Sequence, residues 1–143
     1  MSTDSNVQTV LNSIEVIFNK GQLDRIPEFY SPDFRSHQSG GYGIMVWEPG
    51  WEGLHKHVSE IRTMWPDYRE EIELIFGEGE FVTVRMDLLG TSLGDGALHH
   101  TGKSFKVKDM MICRVVDNRL VEQWGLTDNY SRLIQLGYLS PVV

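Results

Sequence analysis

Up to Pro66 the apolar residues of this chain recur at helical spacing, and beyond it they alternate, a switch that confines the fold to helices laid against one sheet. Val7, Val10, Leu11, Ile14, Ile17 and Phe18 follow the i, i+3, i+4, i+7 rule of a single helix face. Ser5 with Gln8 has the form of a capping box, and Gly21 is placed as a left-handed terminator. A short second helix is predicted over Leu23–Tyr30, ended by Ser31-Pro32-Asp33. The third helix is the most sharply patterned: Leu54, His57, Val58, Ile61, Met64 and Trp65 share one stripe, and Pro66-Asp67 closes it. After Pro66, period-two segments predict strands near Tyr68–Phe76, Glu80–Thr91, Lys103–Val116 and Arg119–Leu126. Gly77-Glu78-Gly79 and Asp117-Asn118 supply hairpin turns, while Ser92–Gly102 is a longer, glycine-rich connection. A last helix follows Asp128-Asn129 and uses Tyr130, Leu133, Ile134 and Leu136 before Gly137. The expectation is an α+β fold, a single domain over residues 1–143, in which a curved antiparallel sheet wraps the N-terminal helices.

The stretch from Ser36 to Gly53 has no period and many glycines, yet it carries Tyr42, Trp47 and Trp51. Aromatic side chains in a long loop either wall or lid a pocket or tether the loop to the surface. Charge narrows the partners. Thirteen basic against twenty acidic residues leave a formal charge of −7, and no run of Lys or Arg forms a basic patch, so nucleic acid is not expected. The first residues are polar, and no segment approaches the ~18 consecutive apolar residues of a membrane span. A cytoplasmic protein with no membrane partner is the expectation. The one cysteine, Cys113, excludes an internal disulfide.

Five positions could carry chemistry. The alternation of the third predicted strand sets Phe105, Val107, Asp109, Met111, Cys113 and Val115 on one face, which puts a carboxylate among apolar neighbours. Burial there would raise its pKa toward the range of a general acid or base, unless the residue is still wet at the strand end or caps a loop. In the second strand Arg85 and Asp87 share a face, open to either a pocket wall or an outer ion pair. His57 faces inward by helical period, as a core imidazole or as a proton-transfer group aimed at a cavity. His37 stands where the chain leaves the helical layer. His55/His57 and His99/His100 lack the spacing of metal ligands, so no metal site is expected. No nucleophile-elbow, zincin, dinucleotide or P-loop signature occurs, which leaves cofactor-free acid–base chemistry or none.

Several strings, taken in order, are similar to the SnoaL-like polyketide cyclases of the nuclear transport factor 2-like superfamily. They are Asn19-Lys20-Gly21-Gln22-Leu23-Asp24, Tyr30-Ser31-Pro32-Asp33-Phe34 with His37, Gly53-Leu54, Trp65-Pro66-Asp67, Thr101-Gly102-Lys103, Arg114-Val115-Val116-Asp117 and Leu133-Ile134-Gln135-Leu136-Gly137. The resemblance implies a cone-shaped pocket, no cofactor, a homodimer through the open sheet face, and acid–base work on a small hydrophobic, oxygenated molecule. It also places the family's catalytic aspartate at Gly125 and its helper at Met111, both lacking the expected group, and a second family aspartate at Asp128. The site expected is therefore a relocated one. Asp109 or His57 transfers the proton, His37 and Asp128 assist, and Tyr42, Trp47, Trp65, Arg85, Met111 and Trp124 line the pocket. The reaction classes it opens are cyclisation, isomerisation and elimination. A non-catalytic small-molecule carrier and an epoxide-opening hydrolase built on Arg85, Asp87 and Asp109 are the alternatives.

Overall fold

The computed structural model describes residues 3–39 and 48–142. Helix α1 covers Thr3–Ser13 and runs directly into a π-helical turn, Ile14–Asn19, in which the Lys20 amide reaches back to the Glu15 carbonyl. The wider turn keeps Ile14, Ile17 and Phe18 on the buried side, and Gly21 stops the helix with a φ of +67°. The expected capping box does not form. The helix starts before Ser5, whose hydroxyl instead donates to the Asn118 side chain, and Gln8 bonds Asn12. A 3-10 turn, Leu23–Arg25, leads into the short α2, Ile26–Phe29. Helix α3 spans Gly50–Met64 with Leu54, His57, Val58, Ile61 and Met64 buried, the stripe its sequence spells.

Five strands follow the order β1-β5-β4-β3-β2. They are β1 (Tyr30–Ser39), β2 (Arg69–Glu78), β3 (Phe81–Thr91), β4 (Ser104–Val116) and β5 (Arg119–Thr127), followed by α4, Asn129–Gln135. Strands β2 to β5 pair antiparallel, as expected. Strand β1 is a correction. Its residues read as loop, but they form an edge strand parallel to β5, with His37 opposite Trp124 and Gln38 opposite Gly125. The usual alternating signal is missing because Phe34 is the one buried apolar residue past Ser31, and Pro32 is tolerable only on an edge. The sheet is therefore mixed, and the α+β cone stands.

Tight turns set the register. Asp117 and Asn118 both take positive φ, 49° and 61°, the pairing a two-residue hairpin demands. The β4 face bearing Phe105, Val107, Met111, Cys113 and Val115 packs with Val82, Val84, Met86 and Leu88 of β3 beneath α1 and α3 in one continuous core. The Asn19 side chain joins the helical layer to the sheet: its Oδ1 accepts from the Glu70 backbone amide at 2.7 Å and its Nδ2 donates to the Glu70 backbone carbonyl at 3.0 Å. Arg62 of α3 donates to the Phe18 and Asn19 carbonyls, satisfying the end of the first helix. No described helix is long and apolar enough to cross a membrane.

Candidate functional site

Between the concave face of the sheet and the helices lies a cavity of about 80 Å³. Phe18, Ile61, Met86, Leu88 and Met111 give it an apolar wall, and Gln38, His57, Tyr68, Glu70, Asp109, Gln123, Thr127, Asn129 and Arg132 bring polar groups into it. The polar set has a simple origin. Strand parity turns Asp109 of β4 and its cross-strand partner Thr127 of β5 inward together, with Met86 on the other flank. The Thr127 hydroxyl donates to Asp109 Oδ1. Met111 and Gly125 form the next inward pair.

Asp109 is 7% exposed, and burial raises its pKa, while the Thr127 hydrogen bond and the Arg132 charge pull it back. Glu70 is pushed up to about 8, by burial first and then by the Asp109 charge, against the pull of Tyr68 and Arg132. Tyr68 donates its phenol proton to Glu70 Oε2 at 2.5 Å, and burial keeps that phenol well above its usual range. His57 is depressed to about 3, by burial and then by the Arg132 charge, so at neutral pH it is a neutral imidazole. Arg132 links these groups. Its guanidinium lies over the rings of Trp65 at 4.8 Å and Phe105 at 5.5 Å, and Nη2 donates to Asn129 Oδ1 at 2.5 Å. The cavity thus holds two carboxyl groups with elevated pKa values, one buried cation and one neutral histidine on an apolar floor.

Of the residues the sequence suggests, Asp109, His57 and Met111 come together in this cavity. Trp65 is close by but fully buried, serving as the aromatic platform beneath Arg132. The others lie elsewhere. His37 sits on the outer face of β1, bonded through Nε2 to Glu122 at 2.8 Å and stacked on Trp124. Trp124 shares that outer face, because β5 parity turns Gln123 and Gly125 inward and Trp124 away. Arg85 faces outward too, paired with Glu73 at 3.4 Å, while Asp87 pairs with Lys108 at 2.8 Å. Arg85, Asp87 and Asp109 therefore do not converge, and the epoxide-opening arrangement built on them is absent. Asp128 caps α4, accepting from the Ser131 amide at 3.1 Å and hydroxyl at 2.8 Å. Tyr42 and Trp47 lie outside the described residues. Among the described residues no group of histidine, cysteine, aspartate and glutamate is arranged to hold a metal ion.

Two charged members of the site were not singled out by their sequence context. Glu70 alternates in phase with Tyr68 and Ile72, a parity that marks it as inward, but strand β2 carries Glu71 and Glu73 as well and reads as a wet edge. Arg132 is one turn before Leu136, which is fully buried. The helical face containing both is the inner one, whereas Tyr130 is exposed.

The chain matches the family model of the SnoaL-like polyketide cyclases over residues 8–136. Among solved structures it is similar to IdmH, a proposed polyketide cyclase of Streptomyces antibioticus, with 29% identity, 92% of this chain and 98% of that one covered, and a TM-score of 0.78. A proposed polyketide cyclase from Bacillus cereus has 26% identity over 95% of this chain and 83% of its own, with a TM-score of 0.79. AclR, a proposed hydroxylase of Streptomyces galilaeus, is similar in fold, with 22% identity over 99% of this chain and 87% of its own and a TM-score of 0.81. No curated protein matches the chain. The family match covers nearly the whole chain, and the mixed sheet with its inward-facing cavity agrees with it: the chain belongs to the SnoaL-like polyketide cyclase family.

Proposed function

We propose that this protein is a cofactor-independent acid–base enzyme, a cyclase or isomerase, acting on a small, mostly hydrophobic ketone-bearing molecule. The observation that carries the reading is Asp109: a carboxylate buried on the wall of the cavity, beside its apolar floor, oriented by Thr127 and close enough to Arg132 to feel its charge. A base in such surroundings is poorly solvated and held in one orientation, both of which favour proton abstraction. Asp109 takes a proton from the carbon next to a carbonyl, and the electron pair moves onto the carbonyl oxygen. The enolate formed is stabilised by the buried guanidinium of Arg132. The same proton returned to another carbon completes an isomerisation. Attack of the enolate carbon on a second carbonyl of the same molecule completes a ring closure, with the proton passing to the new alkoxide. His57, uncharged at neutral pH, orients rather than titrates, and Glu70 with its elevated pKa is suited to donate a proton.

Deuterium exchange into the methyl group of acetophenone, followed by NMR, tests this. Wild-type protein accelerates the exchange, and Asp109→Asn loses about 100-fold or more of that acceleration. Undiminished exchange in the variant removes the assignment. One observation favours a second reading, a carrier that binds without turnover: Gly125, on the inner side of β5, offers no side chain where the family's acid is expected. That reading predicts bound acetophenone with no exchange.

The outer sheet face supports a homodimer. Leu74, Phe76, Phe81, Met110, Ile112, Trp124 and Leu126 are all exposed and lie on neighbouring strands, an apolar patch of the kind that marks an interaction surface. A cytoplasmic location fits the same reading.

A further inference from the structure

Gly125 lies on the inner side of β5 directly beside Gln38 of the parallel edge strand, and Gln38 lines the cavity. A Cβ built at Gly125 would lie 2.7 Å from both the Nε2 and the Oε1 of Gln38, so the amide lies flat over the glycine, in the space a side chain there would fill. Gln38 is exposed at the mouth of the cavity, but its amide is tethered: Nε2 donates to Ser36 Oγ at 3.1 Å. Gln123, deeper on the same wall, donates to that oxygen at 3.3 Å. Two amides are thus anchored on one hydroxyl, and an amide has two N–H donors and an acceptor, more than Ser36 takes up. Gln38 offers an uncharged polar group, whereas the charged residues lining the cavity, Asp109, Glu70 and Arg132, are all buried.

We propose that Gln38, seated over Gly125, is a specificity-determining residue whose amide hydrogen-bonds an uncharged oxygen of the bound molecule and so sets which end of it enters toward Asp109. The absence of a side chain at residue 125 is what leaves room for that amide. The assignment makes the preferred ligand one with an apolar body and a neutral carbonyl or hydroxyl at the end nearer the mouth, beyond the group that reacts. It rests on the reading of the cavity as the ligand site.

4-(Hydroxymethyl)acetophenone and 4-ethylacetophenone, alike in shape and in the reacting ketone and different in one neutral hydroxyl at the far end, read the amide directly in ligand-observed NMR titrations. The ratio of the 4-ethylacetophenone Kd to the 4-(hydroxymethyl)acetophenone Kd falls about 5-fold in Gln38→Leu, the scale of one lost neutral hydrogen bond, through weaker binding of the hydroxymethyl compound alone. Gly125→Ala lowers the ratio in the same direction although Gln38 is intact, because the added methyl displaces the amide. A merely structural role for Gln38 would weaken both probes together and leave the ratio unchanged. An unchanged ratio in Gln38→Leu overturns this inference, and if Asp109→Asn still abolishes exchange, the proton-transfer reading survives it. A Gly125→Ala protein with the wild-type ratio overturns the part assigned to the glycine. Wild-type protein that binds neither probe overturns the cavity as ligand site and this inference with it.

Discussion

Glu70 should leave a pH signature on stability that one substitution erases. Its carboxyl titrates near 8 in the folded chain against 4.5 for the free group, so between those values the native state holds a proton that the unfolded state has released. Stability contributed by such a group is present at low pH and is lost as pH rises through the window. His57 has the opposite sign. Its folded value of about 3 lies below the ordinary 6.5, so the unfolded state binds the extra proton and stability rises with pH up to 6.5. Below 6.5 the two therefore offset, and from 6.5 to 8 Glu70 acts without that counterweight. At about 1.4 kcal/mol per pH unit for one proton, this window is worth roughly 2 kcal/mol. For a chain of this length that is a fall in Tm of about 4–8 °C. Urea unfolding at pH 6.5, 7.25 and 8 measures it in wild-type protein and in Glu70→Gln. The glutamine loses part of the Tyr68 bond and shifts the whole curve, but it cannot titrate, so its stability should stay level across the window. Charge repulsion from the rest of the chain is common to both proteins and cancels in the comparison. Parallel curves for the two proteins would refute the placement of Glu70 as a buried, protonated carboxyl.

Further expectations follow from the same contacts. Asp128→Ala removes the cap of α4 and should cost about 1 kcal/mol in denaturant unfolding, without the loss of acetophenone binding expected of a site residue. Arg132→Gln removes the charge that lowers both carboxyl pKa values and depresses His57, so the carboxyls should titrate higher and His57 less far below 6.5, read by NMR pH titration of the side chains. Ile112→Asp puts a charge in the middle of the apolar outer face, and sedimentation should show a dimer in wild-type protein and a monomer in the variant.

Periodicity alone was enough for the helical stripes and for strands β2 to β5, because each buries one face and so must repeat at 3.6 or 2. The same rule turned Asp109 and Met111 inward and aimed His57 at the interior, a prediction the burial of all three meets. It failed where burial does not write a pattern. Strand β1 is an edge whose inner residues, Ser36 and Gln38, face a cavity mouth and are polar, so nothing in its spelling separates it from a loop. Parity also leaves open which face of a strand is inner when both carry mixed residues. Arg85 and Asp87 went to the outer face because the alternate set, Val82, Val84, Met86 and Leu88, had the stronger claim on the core.

The sequence by itself determined the order of the helices and of strands β2 to β5, the inward carboxylate Asp109 and the family, since these depend on patterns written along the chain. Only the tertiary structure decided which charges meet. Glu70 lies near the start of β2, Asp109 on β4 and Arg132 on α4, and their mutual influence arises from strand pairing and helix docking across large sequence separations. The same packing sent His37 and Trp124 to the outer face and gave Asp128 to a helix cap, because a side chain's role depends on what faces it as well as on its chemistry.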